Sequence, residues 1–157
     1  MSATVGRTDT ASRIIRASPQ TIYRALIDPG AIVKWRPPAG MKAHVYAFDA
    51  REGGTFRMSF SYTDANHDVR GKTSDDADVF EGRFLKLVPD ERVVELIEFE
   101  SDDPAFAGSM TVTTSLRAVQ GGTEVTIRCE NVPKGIRPED HATGMASTLD
   151  NLASFTE

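Results

Sequence analysis

At 157 residues the chain fits one domain, 1–157, of a size that buries about 68 to 70% of the surface its unfolded form exposes. With 18 basic against 23 acidic residues it is mildly acidic, and no Lys/Arg block could track a phosphate backbone, which argues against nucleic acid as a partner. No stretch approaches ~18 consecutive apolar residues and Met1 to Ser12 lacks the apolar core of a signal peptide, so the expectation is a cytoplasmic protein without a membrane partner.

Residues 1–10 are polar and are expected to form a flexible N-terminal segment, followed by a short strand from Ser12 to Ala17. Ser18-Pro19 marks a helix start, with Ser18 as N-cap and Pro19 at the first helical position, and Ile22, Tyr23 and Leu26 supply the apolar face. Asp28-Pro29 repeats the signal for a second short helix through Trp35, which Pro37-Pro38 ends because proline disfavours helical geometry in the residue before it. Strands are expected over Lys42 to Asp49 and, after the turn Arg51-Glu52-Gly53-Gly54, over Thr55 to Tyr62. In the latter, Phe56, Met58, Phe60 and Tyr62 share one face.

Thr63 to Ala77 is polar and turn-rich, a long loop. Asp78 to Val88 and Val93 to Glu100 flank Pro89-Asp90-Glu91-Arg92, a four-residue connection expected to use a type I turn. With Val88 opposite Val93, this register sets Lys86 opposite Glu95, Phe84 opposite Ile97 and Gly82 opposite Phe99. Glu95 is then the one acidic residue in the apolar row Val93, Ile97, Phe99, and an ion pair with Lys86 is expected at the rim of the inner face. Gly108 to Val119 and Thr123 to Asn131 flank Gly121-Gly122, a two-residue hairpin signal that places Leu116 opposite Ile127, Thr114 opposite Cys129 and Ser115 opposite Arg128. From Pro138 onward Ala142, Met145, Ala146, Leu149, Leu152 and Ala153 form one helical stripe. Glu139, Asp140, Thr143, Ser147, Asp150, Asn151 and Ser154 take the other side. Such a helix needs a sheet to receive its stripe, so the fold class is α+β: strand, two helices, six strands in an antiparallel sheet, long helix.

The runs Arg16-Ala17-Ser18-Pro19, Leu26-Ile27-Asp28-Pro29 through Trp35, Arg51-Glu52-Gly53-Gly54, Pro89-Asp90-Glu91-Arg92, Gly121-Gly122-Thr123 and Leu149-Asp150-Asn151-Leu152-Ala153 together resemble the START-like, or SRPBCC, superfamily. The most similar branch is the AHSA1-like one, named for the activator of Hsp90 ATPase. The resemblance spans nearly the whole chain through the order of many weak motifs rather than one diagnostic site. It implies a helix-grip fold, in which a curved seven-stranded sheet wraps the C-terminal helix around an apolar cavity. It also implies relatives that bind lipids, sterols or polyketides, some of them cyclases. One departure is Gly144-Met145, where the branch usually has Gly-Trp, which alters the cavity wall.

Other motifs have plainer readings. Gly71-Lys72-Thr73 lacks the first glycine of a P-loop, since Asn66 stands there. Asp64 to Asp68 begins like a calcium loop, but Val69 occupies the glycine position, leaving a solvated acidic loop. His44, His67 and His141 are too far apart to form a short-spaced ligand set and read as surface or loop-end residues, so no metal and no cofactor are expected. Cys129, the only cysteine, reads as a small buried hydrophobe, and Trp35 as a packing anchor before it is a ligand contact.

The leading expectation is a binding module, rather than an enzyme, for a small hydrophobic or amphipathic ligand held between the sheet and the last helix. Its candidate ligand-binding residues are Trp35, Phe56, Met58, Phe60, Glu95, Val112, Leu116, Met145 and Leu149. A cyclase-like enzyme acting on an aromatic or polyketide-like substrate comes second; no catalytic residue is assigned, and Glu95 is the one candidate proton acceptor. A protein-binding module akin to the Hsp90 co-chaperones comes third, weakened because a single domain leaves no room for the extra N-terminal domain those proteins carry. The oligomeric state is left open, a homodimer included.

Overall fold

A computed structural model of the chain describes residues 6–63 and 77–157. The order is β1 (Arg7–Ile15), α1 (Pro19–Ile27), α2 (Pro29–Trp35), β2 (Met41–Phe48), β3 (Thr55–Tyr62), β4 (Ala77–Val88), β5 (Arg92–Phe99), a short 3₁₀ turn (Pro104–Phe106), β6 (Met110–Val119), β7 (Gly122–Val132) and α3 (Pro138–Thr156). The strands form one curved antiparallel sheet in the order β1-β7-β6-β5-β4-β3-β2, so β2 to β7 run as a meander and β1 closes the far edge on β7. The expected α+β class, with its long C-terminal helix and two short helices after the first strand, is the observed one. No described helix is long and apolar enough to cross a membrane. The expected loop motifs at 64–76, with Asn66, His67 and Gly71-Lys72-Thr73, lie outside the described residues.

The helix starts follow the sequence signals. Ser18 Oγ accepts from the Thr21 amide at 3.1 Å and Asp28 Oδ1 accepts from the Gly30 amide at 2.9 Å, each cap standing directly before a proline. The first strand begins at Arg7 rather than Ser12, because Asp9 to Ile15 pair in register with Cys129 to Thr123 of β7. Residues 7–10, expected within a flexible segment, therefore belong to the sheet edge.

Both hairpin registers depart from expectation. Between β4 and β5, Val88 pairs with Arg92, leaving Pro89, Asp90 and Glu91 as the connection. The Glu91 amide donates to the Val88 carbonyl at 3.0 Å and Asp90 has φ 65°, a positive value that fits a type II turn after Pro89 and not the type I turn expected. A bulge at Leu85 then shifts the ladder: Lys86 faces Val94, whereas Phe84 faces Glu95 and Gly82 faces Ile97. The expected pairing of Lys86 with Glu95 is thereby overturned; Lys86 is exposed and Glu95 is buried. Between β6 and β7 the turn residues are Gln120 and Gly121, one position earlier than expected. Gly122 is already in the strand with φ 154°, and an added Cβ would sit 2.1 Å from the Ile15 carbonyl oxygen of β1, so its backbone conformation and the close approach of β1 both require glycine. Leu116 consequently faces Val125, Thr114 faces Ile127 and Ser115 faces Thr126. This slip of two residues leaves each side chain on the face expected of it, because side chains alternate with a period of two.

The core lies between the inner face of the sheet and the three helices. Phe56, Phe84, Ile15, Ile22, Ile32, Met58, Leu149 and Leu152 are its largest fully buried side chains. Phe56 packs over Gly82, whose added Cβ would meet the ring at 2.4 Å, and its ring centroid lies 5.1 Å from that of Phe84. On α3 the buried face is Met145, Leu149, Leu152 and Ala153; Ala142 and Ala146, expected in the stripe, face solvent. The helix turns that way because Ser147 and Asn151, expected on its outer side, and Thr148 beside them have partners inside. Thr148 Oγ1 donates to the Arg36 carbonyl at 3.0 Å, Asn151 Nδ2 donates to the Pro37 carbonyl at 3.0 Å, and Ser147 Oγ accepts from the Ala39 amide at 2.8 Å.

Leu149→Ala is expected to lower unfolding stability by about 2 to 5 kcal/mol, the cost of a cavity beneath a docked helix. Ala146→Ser, on the solvent face, should stay within roughly 0.5 kcal/mol. Urea unfolding of the two variants checks the orientation of α3, and comparable losses would contradict it.

Candidate functional site

A single transverse row crosses the inner face of the sheet. Phe84 on β4 faces Glu95 on β5, Glu95 faces Val112 on β6, Val112 faces Cys129 on β7, and Cys129 faces Asp9 on β1. At ~4.8 Å per strand, Glu95 and Asp9 lie roughly 14 Å apart along it. The row is apolar at its centre and carries a carboxylate towards each end.

Glu95 is held by Arg36. Nη1 donates to Oε2 at 2.9 Å and Nη2 donates to Oε1 at 3.0 Å, a bidentate pair whose side chains are 14% (Arg36) and 4% (Glu95) exposed. Arg36 is placed by local sequence. It is the C-cap residue of α2, its amide donates to the Ile32 carbonyl, and the prolines that follow stop the helix at that point. The carbonyls of Arg36 and Pro37 are then fixed by Thr148 and Asn151 of α3.

Asp9 is held by His141 and Arg7. His141 Nδ1 lies 2.6 Å from Asp9 Oδ2, and Arg7 bonds the same carboxylate through Nε and Nη2 at 3.0 to 3.2 Å. His141, read from sequence as a surface or loop-end residue, is thus largely buried in the first turns of α3 and ties that helix to the edge strand. Burial alone would raise the Asp9 carboxyl; hydrogen bonds from His141 and Arg7 outweigh it and bring the pKa below the ordinary value of 3.8. Between the two pairs, burial pushes the Cys129 thiol up to about 12, with Arg36 pulling the other way. At neutral pH it is a thiol and a poor nucleophile.

The remaining predicted site residues spread along this face. Trp35 donates from Nε1 to the Ala25 carbonyl at 2.9 Å and locks α2 against α1, the role of a packing anchor. Phe56 and Met58 are fully buried on β3; Phe60 is half-buried, its ring edge-on to Phe80 at 5.0 Å. Val112 adjoins Glu95 directly, Leu116 lies further towards the β6–β7 turn, and Met145 and Leu149 face inward from α3. The chain therefore brings Glu95 and Val112 into one row but leaves Lys86 outside it. Sequence reasoning missed Arg36 and the Asp9–His141 pair. The only local signal for Arg36 was its position between Trp35 and Pro37, while Asp9 and His141 are 132 residues apart.

Hollows mark the outer surface of the described residues. One of about 250 Å³ lies among Thr21, Arg24, Asp28, Ala31 and Phe155, and one of about 440 Å³ among Arg7, Pro104, Asn131 and Lys134. Neither is between α3 and the sheet. Among the described residues no group of three or more His, Cys, Asp or Glu side chains is placed to hold a metal ion.

The lowered pKa of Asp9 fixes a sign. Its ionised form is favoured by folding, so its contribution to stability is complete above the ordinary value of 3.8 and is lost as pH falls through the lower native value. Asp9→Asn should be less stable than the parent near neutrality, with the gap closing in acid. Urea midpoints followed down the pH scale check this; a gap unchanged in strong acid would contradict it.

The sequence signature of the Activator of Hsp90 ATPase homolog 1-like protein family matches residues 16–157. No curated protein sequence matches the chain. Among solved structures, a crystal structure of a protein from Chromobacterium violaceum is 34% identical, with 96% of each chain covered and a TM-score of 0.84. A Rhodobacter sphaeroides protein at 20% identity (96% of this chain and 95% of that one, TM-score 0.75) shares the fold. So does an AHSA1-like protein from Aeromonas hydrophila at 17% identity (95% and 91%, TM-score 0.69). The match over residues 16–157, which runs from the end of β1 through α3, places this chain in the Activator of Hsp90 ATPase homolog 1-like protein family.

Proposed function

We propose that the protein binds a small hydrophobic or amphipathic molecule between the inner face of the sheet and α3. The observation that carries this reading is the Arg36–Glu95 ion pair, set on a face otherwise made of Phe56, Met58, Phe84, Val112 and Cys129. A buried ion pair is a costly way to fill a core, since apolar residues of similar volume are often as stabilising or more so. Its presence here is accounted for by a polar group that a ligand would meet within an apolar site. The bonds from Ser147, Thr148 and Asn151 to the 36–39 loop are the contacts whose release would open the space beside Arg36.

The geometry favours binding over proton-transfer catalysis at Glu95, because both carboxylate oxygens already accept from Arg36. It also lends little to a chaperone-type protein interface. Among the described residues the large exposed apolar side chains Ile14, Tyr46, Leu85 and Phe155 stand on β1, β2, β4 and α3, with β1 and β2 at opposite edges of the sheet.

Displacement of the fluorescent probe 1-anilinonaphthalene-8-sulfonate by fatty acids, together with native mass spectrometry of protein purified from its own host, tests the reading. Met145→Trp should change probe affinity by about fivefold or more, the ~1 kcal/mol scale of an altered packed wall. Unchanged affinity would remove Met145 from the site.

A further inference from the structure

We infer that the Arg36 guanidinium is a receptor for one uncharged hydrogen-bond acceptor, so that the ligand class is an apolar molecule bearing a ketone, ester or amide carbonyl rather than a carboxylate or phosphate. This deepens the binding function proposed above and rests on it. A guanidinium carries five N–H donors, and those of Arg36 that bond Glu95 are one on Nη1 and one on Nη2. The others, the Nε donor included, have no protein partner among the described residues. The side chain is 14% exposed, so protein covers most of it. Buried donors are normally satisfied, and a charged group left partly unsatisfied is costly, so an acceptor from a ligand is the chemistry that completes the site.

Charge decides which acceptor. Arg36 is already neutralised by the Glu95 carboxylate at 2.9 and 3.0 Å. A second anion on the same guanidinium would sit close to Glu95 and leave a net negative charge on a buried, otherwise apolar part of the row. A neutral carbonyl accepts the same hydrogen bonds without that repulsion. Val112 and Cys129, the next residues along the row and both buried, offer an apolar bed beside the acceptor, and the thiol is uncharged.

Three probes of matched skeleton separate the possibilities: diphenylmethane without an acceptor, benzophenone with a neutral carbonyl, and diphenylacetate with an anion. Calorimetric titration of the parent protein should give benzophenone an affinity about tenfold or more above diphenylmethane, equivalent to ~1.4 kcal/mol, and above diphenylacetate as well. Glu95→Gln removes the neutralising charge and should reverse the order, with diphenylacetate now preferred over benzophenone. Should that variant fail to fold, the charge-balanced double variant Arg36→Met with Glu95→Gln carries the test, and its benzophenone-to-diphenylmethane affinity ratio should fall to about one. Equal affinity for the three probes in the parent, a preference there for diphenylacetate, or a benzophenone preference that survives the double variant would overturn the inference while leaving the binding function standing. If none of the probes bound, the binding function itself would fall and the inference with it.

Discussion

The rest of the structure depends on one constraint: the segment between α2 and β2 must be clamped against α3. Thr148, Asn151 and Ser147 bond the backbone of Arg36, Pro37 and Ala39, and this seats the end of α2 over the middle of the sheet. Arg36 then meets Glu95, and Trp35, one residue earlier, bonds back to α1 through Ala25. The same rotation of α3 that presents these polar residues to the loop buries Met145, Leu149 and Leu152 against the sheet and turns Ala142 and Ala146 to water. One helix orientation thus settles both the core and the placement of the buried cation.

A second tie runs from the N-terminal end of α3. His141 in the helix's first turns meets Asp9 on the edge strand, and Arg13 pairs with Asp150 further along. Edge strands are the least supported part of a sheet, and here β1 gains a helix across its inner face in addition to its ladder with β7. The two attachments bracket the apolar centre of the transverse row. Family membership agrees with this architecture, while the chain's own Arg36–Glu95 pair gives the inner face its chemical character.

Elements with a local chemical signature were legible in the sequence. Ser18-Pro19 and Asp28-Pro29 begin helices because a side-chain oxygen and a proline each satisfy a helix start, and both do so in the structure. The alternation in β3 and β5 assigned Phe56, Met58 and Glu95 to the inner face correctly, since period two survives any even slip of register. Register itself was not legible. The bulge at Leu85 is a tertiary feature, accompanied by bonds of Phe84 to the backbone of Gly53 and Gly54, and it turned Lys86 outward. The polar side of α3 was misread for a related reason: Ser147 and Asn151 look like solvent residues until the 36–39 loop supplies their partners. The Asp9–His141 contact left no trace in spacing because 132 residues separate its members.

The central claim is that Arg36, already paired with Glu95, donates its remaining hydrogen bonds to a neutral acceptor on an apolar face. Difference infrared spectroscopy of benzophenone labelled with ¹³C at its carbonyl reads that contact directly. The account predicts a carbonyl stretch on the parent protein at lower frequency than in hexane, returning to the hexane position in Arg36→Met with Glu95→Gln. A bound carbonyl that absorbs at the hexane frequency on the parent protein would contradict it.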